Sequence, residues 1–188
     1  MIVIRSETEA DRKAVFELTR SAFAAHEHSS HTEEFIIEHL RIAGALAISL
    51  VAERDRTFAG HVAFSRVAIS DGSPDWYGLG PLSVLPSLQG KGVGKALVNA
   101  GLAALKASGA RGCVLLGEPA YYSRFGFVSD PCLVLEGAPP EFFLCRSLGR
   151  GAEGEPAHAP SAAPQPVERA RDRPVGTVAY HEAFAARG

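Results

Sequence analysis

The stretch LPSLQGKGVGKAL, Leu85 to Leu97, constrains the chain more than any other. It holds three glycines and two lysines between a proline and an apolar run. It follows the extended run WYGLGPLSV and opens a helical pattern in which Val93, Leu97, Val98, Leu102 and Leu105 recur on one face, with Gly109 as its stop. A glycine-rich turn between a strand and a helix presents successive backbone amides at the positive end of the helix dipole, which makes it a site for an anion. Two familiar phosphate loops fail here on single residues. The nucleotide-hydrolysing loop GxxxxGK[ST] needs a hydroxyl where Ala96 stands and a glycine where Gln89 stands. The dinucleotide fingerprint GxGxxG fails at Lys95 and belongs in a first βαβ unit, whereas this segment follows several strands. What remains is Gln-x-x-Gly-x-Gly, realised as Gln89, Gly92 and Gly94.

The rest of the chain supplies an α/β context. IVIR reads as a strand, and Ser6-Glu7-Thr8-Glu9 has the spacing of a capping box before a helix carrying Val15, Leu18, Ala22 and Phe23. A polar loop containing HEHSSH leads to a second helix from Thr32. AISLVAE and FAGHVAFSRVAI read as two strands around a hairpin turn at Asp55-Arg56-Thr57, and SDGSPD turns the chain into WYGLGPLSV. Gly78 and Gly80 in that last strand predict a bulge or a close approach to the backbone. GCVLL reads as a buried, parallel strand, EPAYYSRFGF as a short helix or turn, and EFFLCRSL as a further strand. Composition changes at Gly149. Residues 149–174 are rich in Ala, Pro, Gly and charge, cannot bury enough apolar surface, and read as a disordered insertion. The expected organisation is a core over 1–148, this insertion, and a C-terminal strand in 175–188 that completes the core.

Bulk properties exclude some classes. No apolar run approaches the eighteen or so residues of a membrane span, and no basic-then-apolar leader opens the chain. The net charge of −2 argues against a nucleic-acid partner. The three cysteines, Cys113, Cys132 and Cys145, show no CxxC spacing, so we expect neither disulfides nor a zinc knuckle, and a cytoplasmic location.

The Gln89-Gly92-Gly94 pattern, placed after LSV and before an amphipathic helix, resembles the acetyl-CoA pyrophosphate loop of the GNAT N-acyltransferase superfamily. A second element agrees: YYSRFGF resembles the family's Tyr-x-x-x-Gly-Phe, with Tyr122 matching the tyrosine. LGPLSVLPSLQGKGVGKAL, LLGEPAYYSRFGF and GTVAYHEAF together look most like the YhbS-like predicted acyltransferases, in which the tail follows the preceding strand much sooner. The resemblance implies a GNAT-type α/β fold, with a mixed central sheet, splayed parallel strands and flanking helices. It implies acetyl transfer from acetyl-CoA to a primary amine by direct attack and a tetrahedral intermediate, with no metal. It also implies that Leu82, Ser83 and Val84 pair with the pantetheine arm, that the strand splays at Gly80-Pro81, and that Gln89, Gly90, Lys91, Gly92, Val93, Gly94 and Lys95 hold the pyrophosphate. Tyr122 would protonate the departing thiolate, a role suited to a phenol facing a thiolate.

For the base that takes a proton from the incoming amine, the candidates are Glu118, beside the tyrosine element, and His28, His31 or Glu33 in the loop between the first helices. That loop reads as the surface for the acceptor, a small molecule or a peptide amine. Glu118 reads equally well as a carboxylate capping the turn at Pro119. Two alternatives stay open: a non-catalytic acyl-CoA sensor, and a donor that is a longer acyl-CoA or an acyl carrier protein. A homodimer is common in the family.

Overall fold

The computed structural model describes residues 1–24, 29, 31–149 and 173–185. Strands β1 (Ile2–Ser6), β2 (Leu46–Arg54), β3 (Thr57–Arg66), β5 (Trp76–Val84), β6 (Gly112–Leu116) and β8 (Phe143–Ser147) form one sheet in the order β1-β2-β3-β5-β6-β8. Every pairing in it is antiparallel except β5 with β6. A second sheet joins β4 (Ala68–Ile69), β9 (Gly176–Ala179) and β7 (Leu133–Val134). The run FAGHVAFSRVAI is thus two strands, because the chain leaves the large sheet after Arg66 so that β4 can pair with β9. The C-terminal strand accordingly joins the small sheet and makes no pairing in the large one. The expected 149–174 insertion falls, but for its ends, outside the described residues.

Helix α3 (Val93–Ala107) covers one face of the large sheet. The five residues read from its periodicity are all buried, with Leu97, Val98 and Leu105 fully so, against Val62, Phe64, Tyr77 and Leu79 of the strands. Each such leucine contributes about 2 kcal/mol on burial. The helix ends in a Schellman arrangement, with Ala110 N–H donating to the Leu105 carbonyl at 3.0 Å and Gly109 N–H to that of Lys106 at 3.1 Å.

Helices α1 (Arg12–Phe23) and α2 (Glu33–Ile42) lie on the opposite face. The expected capping box at Ser6–Glu9 is displaced. The Asp11 carboxylate accepts from Thr8 N–H at 2.8 Å and from Thr8 Oγ1 at 2.7 Å, and Arg5 donates to both its oxygens. Strand β1 runs through Ser6 to pair with Leu50, so the helix cannot begin before Thr8. The β2–β3 hairpin turns on Asp55 and Arg56, both at positive φ. Among the described residues no helix is long and apolar enough to cross a membrane.

Candidate active site

Strands β5 and β6 pair only from Trp76–Gly112 to Gly78–Val114. Beyond Gly78 they part, and among the described residues the β6-facing edge of Leu82, Ser83 and Val84 carries no strand. On its other edge β5 stays bonded to β3, with a bulge that sets Val62 opposite Leu82 but Phe64 opposite Leu79, leaving Gly80 and Pro81 opposite the single residue Ala63. The bulge expected from the glycines is therefore there. A cleft between parallel strands, walled by one free backbone edge, leads to the glycine loop.

In that loop Gly90 and Gly92 have φ of 72° and 88°, a conformation that side chains with a Cβ rarely adopt. Gly92 is the N-cap of α3 and offers no side chain to cap it, so the first-turn amides of Val93, Gly94 and Lys95 keep their donors free. Gln89 Nε2 donates to the Val84 carbonyl at 3.3 Å, tying the loop to the end of β5. Lys91 and Lys95 are exposed and supply charge at the rim.

Helix α4 (Pro119–Tyr122) and a 3-10 turn (Ser123–Phe125) bring Tyr121 against this loop and Tyr122 beside it on the end of β6. The hydroxyl of Tyr121 stands 2.6 Å from where a Cβ on Gly94 would be, and its ring meets that of Tyr122 edge-on at 4.9 Å. Sequence reasoning passed over Tyr121. Its only signal was the doubled tyrosine. Tyr122 lies over Gly117 at the end of β6 and packs on Phe125 and Phe127. Burial pushes its pKa up, with Tyr121 and Cys113 adding to the rise, so the phenol stays protonated. Arg146 of β8 donates to the Phe125 carbonyl and holds the turn in place.

Glu118 is exposed and is the N-cap of α4, accepting from Ala120 N–H at 3.5 Å. Glu33 is engaged locally, accepting from Ser29 Oγ at 2.7 Å and from Thr32 N–H at 3.1 Å. His31 lines a cavity of about 390 Å³ with Arg20, Phe23, Ala24 and Glu34, between the end of α1 and the start of α2. Glu34, buried and one residue past Glu33, is the carboxylate that faces this cavity. Helical phase decides between them, and the apolar neighbours Phe35 and Ile36 left it ambiguous from sequence. His28 lies outside the described residues. Among the described residues no group of His, Cys, Asp and Glu could hold a metal ion.

Comparison with known proteins gives this geometry a family. Residues 45–129 match the acetyltransferase (GNAT) domain. The N-acetyltransferase YhbS of Escherichia coli K12, itself uncharacterised, is 37% identical over 127 residues, covering 67% of this chain and 73% of that protein. The chain belongs to the GNAT acetyltransferases. A GNAT family acetyltransferase from Brucella melitensis, crystallised with acetyl-CoA, is 41% identical with a TM-score of 0.77, covering 98% of each chain. The crystal structure of E. coli YhbS with CoA gives 31% identity and a TM-score of 0.80, covering 100% of this chain and 93% of that one.

This GNAT chain also carries a buried polar network that its sequence did not disclose. Glu7, Arg41, Ser49 and His61 meet beneath α2. Arg41 donates to Glu7 and to Glu38, Ser49 Oγ donates to Glu7, and His61 Nε2 lies 2.8 Å from Ser49 Oγ and 3.4 Å from Glu7. Since the serine proton goes to Glu7, Nε2 carries the imidazole proton and Nδ1, buried and without a partner among the described residues, is a bare acceptor. Burial alone would raise the pKa of Glu7, yet bonds from His61 and Ser49 and the charge of Arg41 hold it near 2. Burial drives that of His61 down. Cys113 is buried with its pKa pushed up by desolvation, and Cys145 rises to about 11 for the same reason, which suits core residues.

Proposed function

We propose that this protein transfers the acetyl group of acetyl-CoA to a primary amine, with the free first-turn amides of α3 and the rim lysines holding the CoA pyrophosphate. The observation that carries this reading is the glycine loop joined directly to a β5 edge that has lost its β6 partner at Gly78. The unpaired edge of Leu82, Ser83 and Val84 suits an extended pantetheine arm, which bonds to such an edge as a strand would. The amine nitrogen attacks the thioester carbonyl carbon and the C–N bond forms. The tetrahedral intermediate then collapses with C–S cleavage, the thiolate takes its proton from Tyr122, and the proton shed by the amine nitrogen passes to solvent, from which Tyr122 is reprotonated. Burial keeps the phenol protonated, so the proton to be given is in place.

The acceptor side is assigned to the cavity of Arg20, His31 and Glu34, whose mixed charges suit a substrate with both an ammonium and an anionic or polar group. The test has two arms. Purified protein should bind CoA and release free thiol from acetyl-CoA with some member of a panel of small amines and peptides. Tyr122→Phe should then lose turnover by at least about 10-fold while CoA affinity holds. CoA binding with a flat amine panel indicates the non-catalytic sensor. Better competition by longer acyl-CoAs or acyl carrier protein reassigns the donor.

A further inference from the structure

The two sheets meet at Tyr180, the residue that follows β9. A Cβ built on Gly78 would stand 2.3 Å from Tyr180 Cε1, 2.9 Å from Cδ1 and 3.1 Å from Cζ, so the side edge of the ring covers Gly78. Gly78 forms the last β5–β6 pair before the strands part. The hydroxyl of Tyr180, bonded to Cζ, is therefore held close to Gly78, where the two strands begin to part. It is buried and, among the described residues, has no hydrogen-bond partner, and neither has Ser65 Oγ, on the residue opposite Gly78 in β3. Tyr122 and Cys113 are close enough to act on it electrostatically. Tyr122 packs in the core cluster on the α3 side of the sheet, whereas Tyr180 packs against the separate cluster that holds Trp76, Val114 and Val178 and meets Phe184 at 4.7 Å between ring centres. The two phenols thus approach the parting of the strands from opposite sides.

A buried hydroxyl without a partner costs roughly 1–3 kcal/mol, and a close-packed protein keeps such a group where something else satisfies it. Burial also keeps this phenol protonated, as a donor.

We propose that Tyr180 is a substrate-contacting residue whose hydroxyl donates a hydrogen bond to the acetyl carbonyl oxygen of the bound thioester. The inference rests on the acetyl-transfer reading above. As the primary amine attacks and its C–N bond forms, the carbonyl π pair moves onto oxygen, and the Tyr180 O–H meets the charge that develops there. The pair returns as the C–S bond breaks, the thiolate leaves with the proton of Tyr122, the proton shed by the amine nitrogen passes to solvent and Tyr122 regains one from there, and Tyr180 keeps its own proton throughout. Donors placed for a developing oxyanion contribute strongly because they need no reorganisation at the moment of reaction.

Tyr180→Phe tests this with the ring packing retained. The variant should melt at the same temperature as the parent or higher, since it loses an unpaired buried group. Its kcat with acetyl-CoA and the best amine of the panel should fall by at least about 10-fold, while the dissociation constant for acetyl-CoA stays within about two-fold. Unchanged kcat overturns the proposal. So does a lower melting temperature with unchanged kcat, which makes the hydroxyl a structural group. A crystal structure with acetyl-CoA decides independently of turnover: Tyr180 Oη should lie within hydrogen-bond reach of the acetyl oxygen, and a bond to protein alone refutes the contact. If the wild type binds acetyl-CoA but acetylates no amine, the function proposed above fails while that complex still judges Tyr180. If acetyl-CoA does not bind at all, both fall.

Discussion

The two faces of the large sheet are built on different principles. Under α3 the contact is apolar from end to end, with Leu97, Leu105, Val62 and Phe64 fully buried together. Under α1 and α2 the sheet presents Glu7, Ser49, His61, Ser65 and Ser83, of which Ser83 Oγ donates to Thr19 Oγ1 at 3.0 Å in the interior. The apolar face is a scaffold whose stability depends on shape and volume. The polar face depends on particular pairings, and wherever a partner is missing a group waits for one. The glycine loop grows from the helix of the first face. The candidate acceptor cavity lies between the helices of the second.

The contrast can be broken from either side. Leu97→Ala strikes the apolar face. It should cost about 4 kcal/mol by cavity formation, seen as a lower denaturant midpoint with no change in pH dependence. Glu7→Gln strikes the polar face. A carboxylate held near pH 2 instead of its ordinary 4.5 contributes about 3 kcal/mol at neutral pH, and the variant should lose roughly that amount.

The same pair predicts an acid limb specific to this face. Glu7 is depressed in the folded state, so its contribution is present above pH 4.5 and is lost as pH falls toward 2. His61 is also depressed, so the unfolded chain binds protons first and stability begins to drop below pH 6.5. Melting temperatures should fall in two stages on acidification. His61→Gln should remove the upper stage, and persistence of that stage would place its origin elsewhere.

Gly94→Ala probes the junction with the site. Its methyl would collide with the Tyr121 hydroxyl, and CoA affinity measured by calorimetry should drop by about 10-fold as the loop and ring shift. Pairing it with Tyr121→Phe should recover part of the loss. The smallest effect belongs to Ser65→Ala. Removing an unpaired buried hydroxyl should leave the melting temperature unchanged or slightly raised, whereas a clear drop would mean that Ser65 is already satisfied in solution.

Much of this molecule was readable before folding, for local reasons. The glycine loop, the periodicity of α3, the Asp55-Arg56 turn and the Gly80-Pro81 bulge each express backbone or burial demands met by neighbouring residues. Where those demands compete with pairing, reading failed. The capping box moved to Thr8 and Asp11 because β1 had to reach Leu50, and FAGHVAFSRVAI split because β4 had a partner in β9. Glu33 was the only carboxylate read from that loop, and the cavity is lined instead by Glu34, because one helix step decides which carboxylate points inward.

By itself, then, the sequence determined the elements, the loop and the family resemblance, since those are encoded in contiguous residues and their spacing. Tertiary structure alone decided which polar groups meet. Arg41 reaches Glu7, His61 meets Ser49, and Tyr180 crosses from the tail to cover Gly78, all through contacts between residues far apart along the chain. A buried polar atom takes its role from whatever the fold places opposite it, and no local pattern records that neighbour.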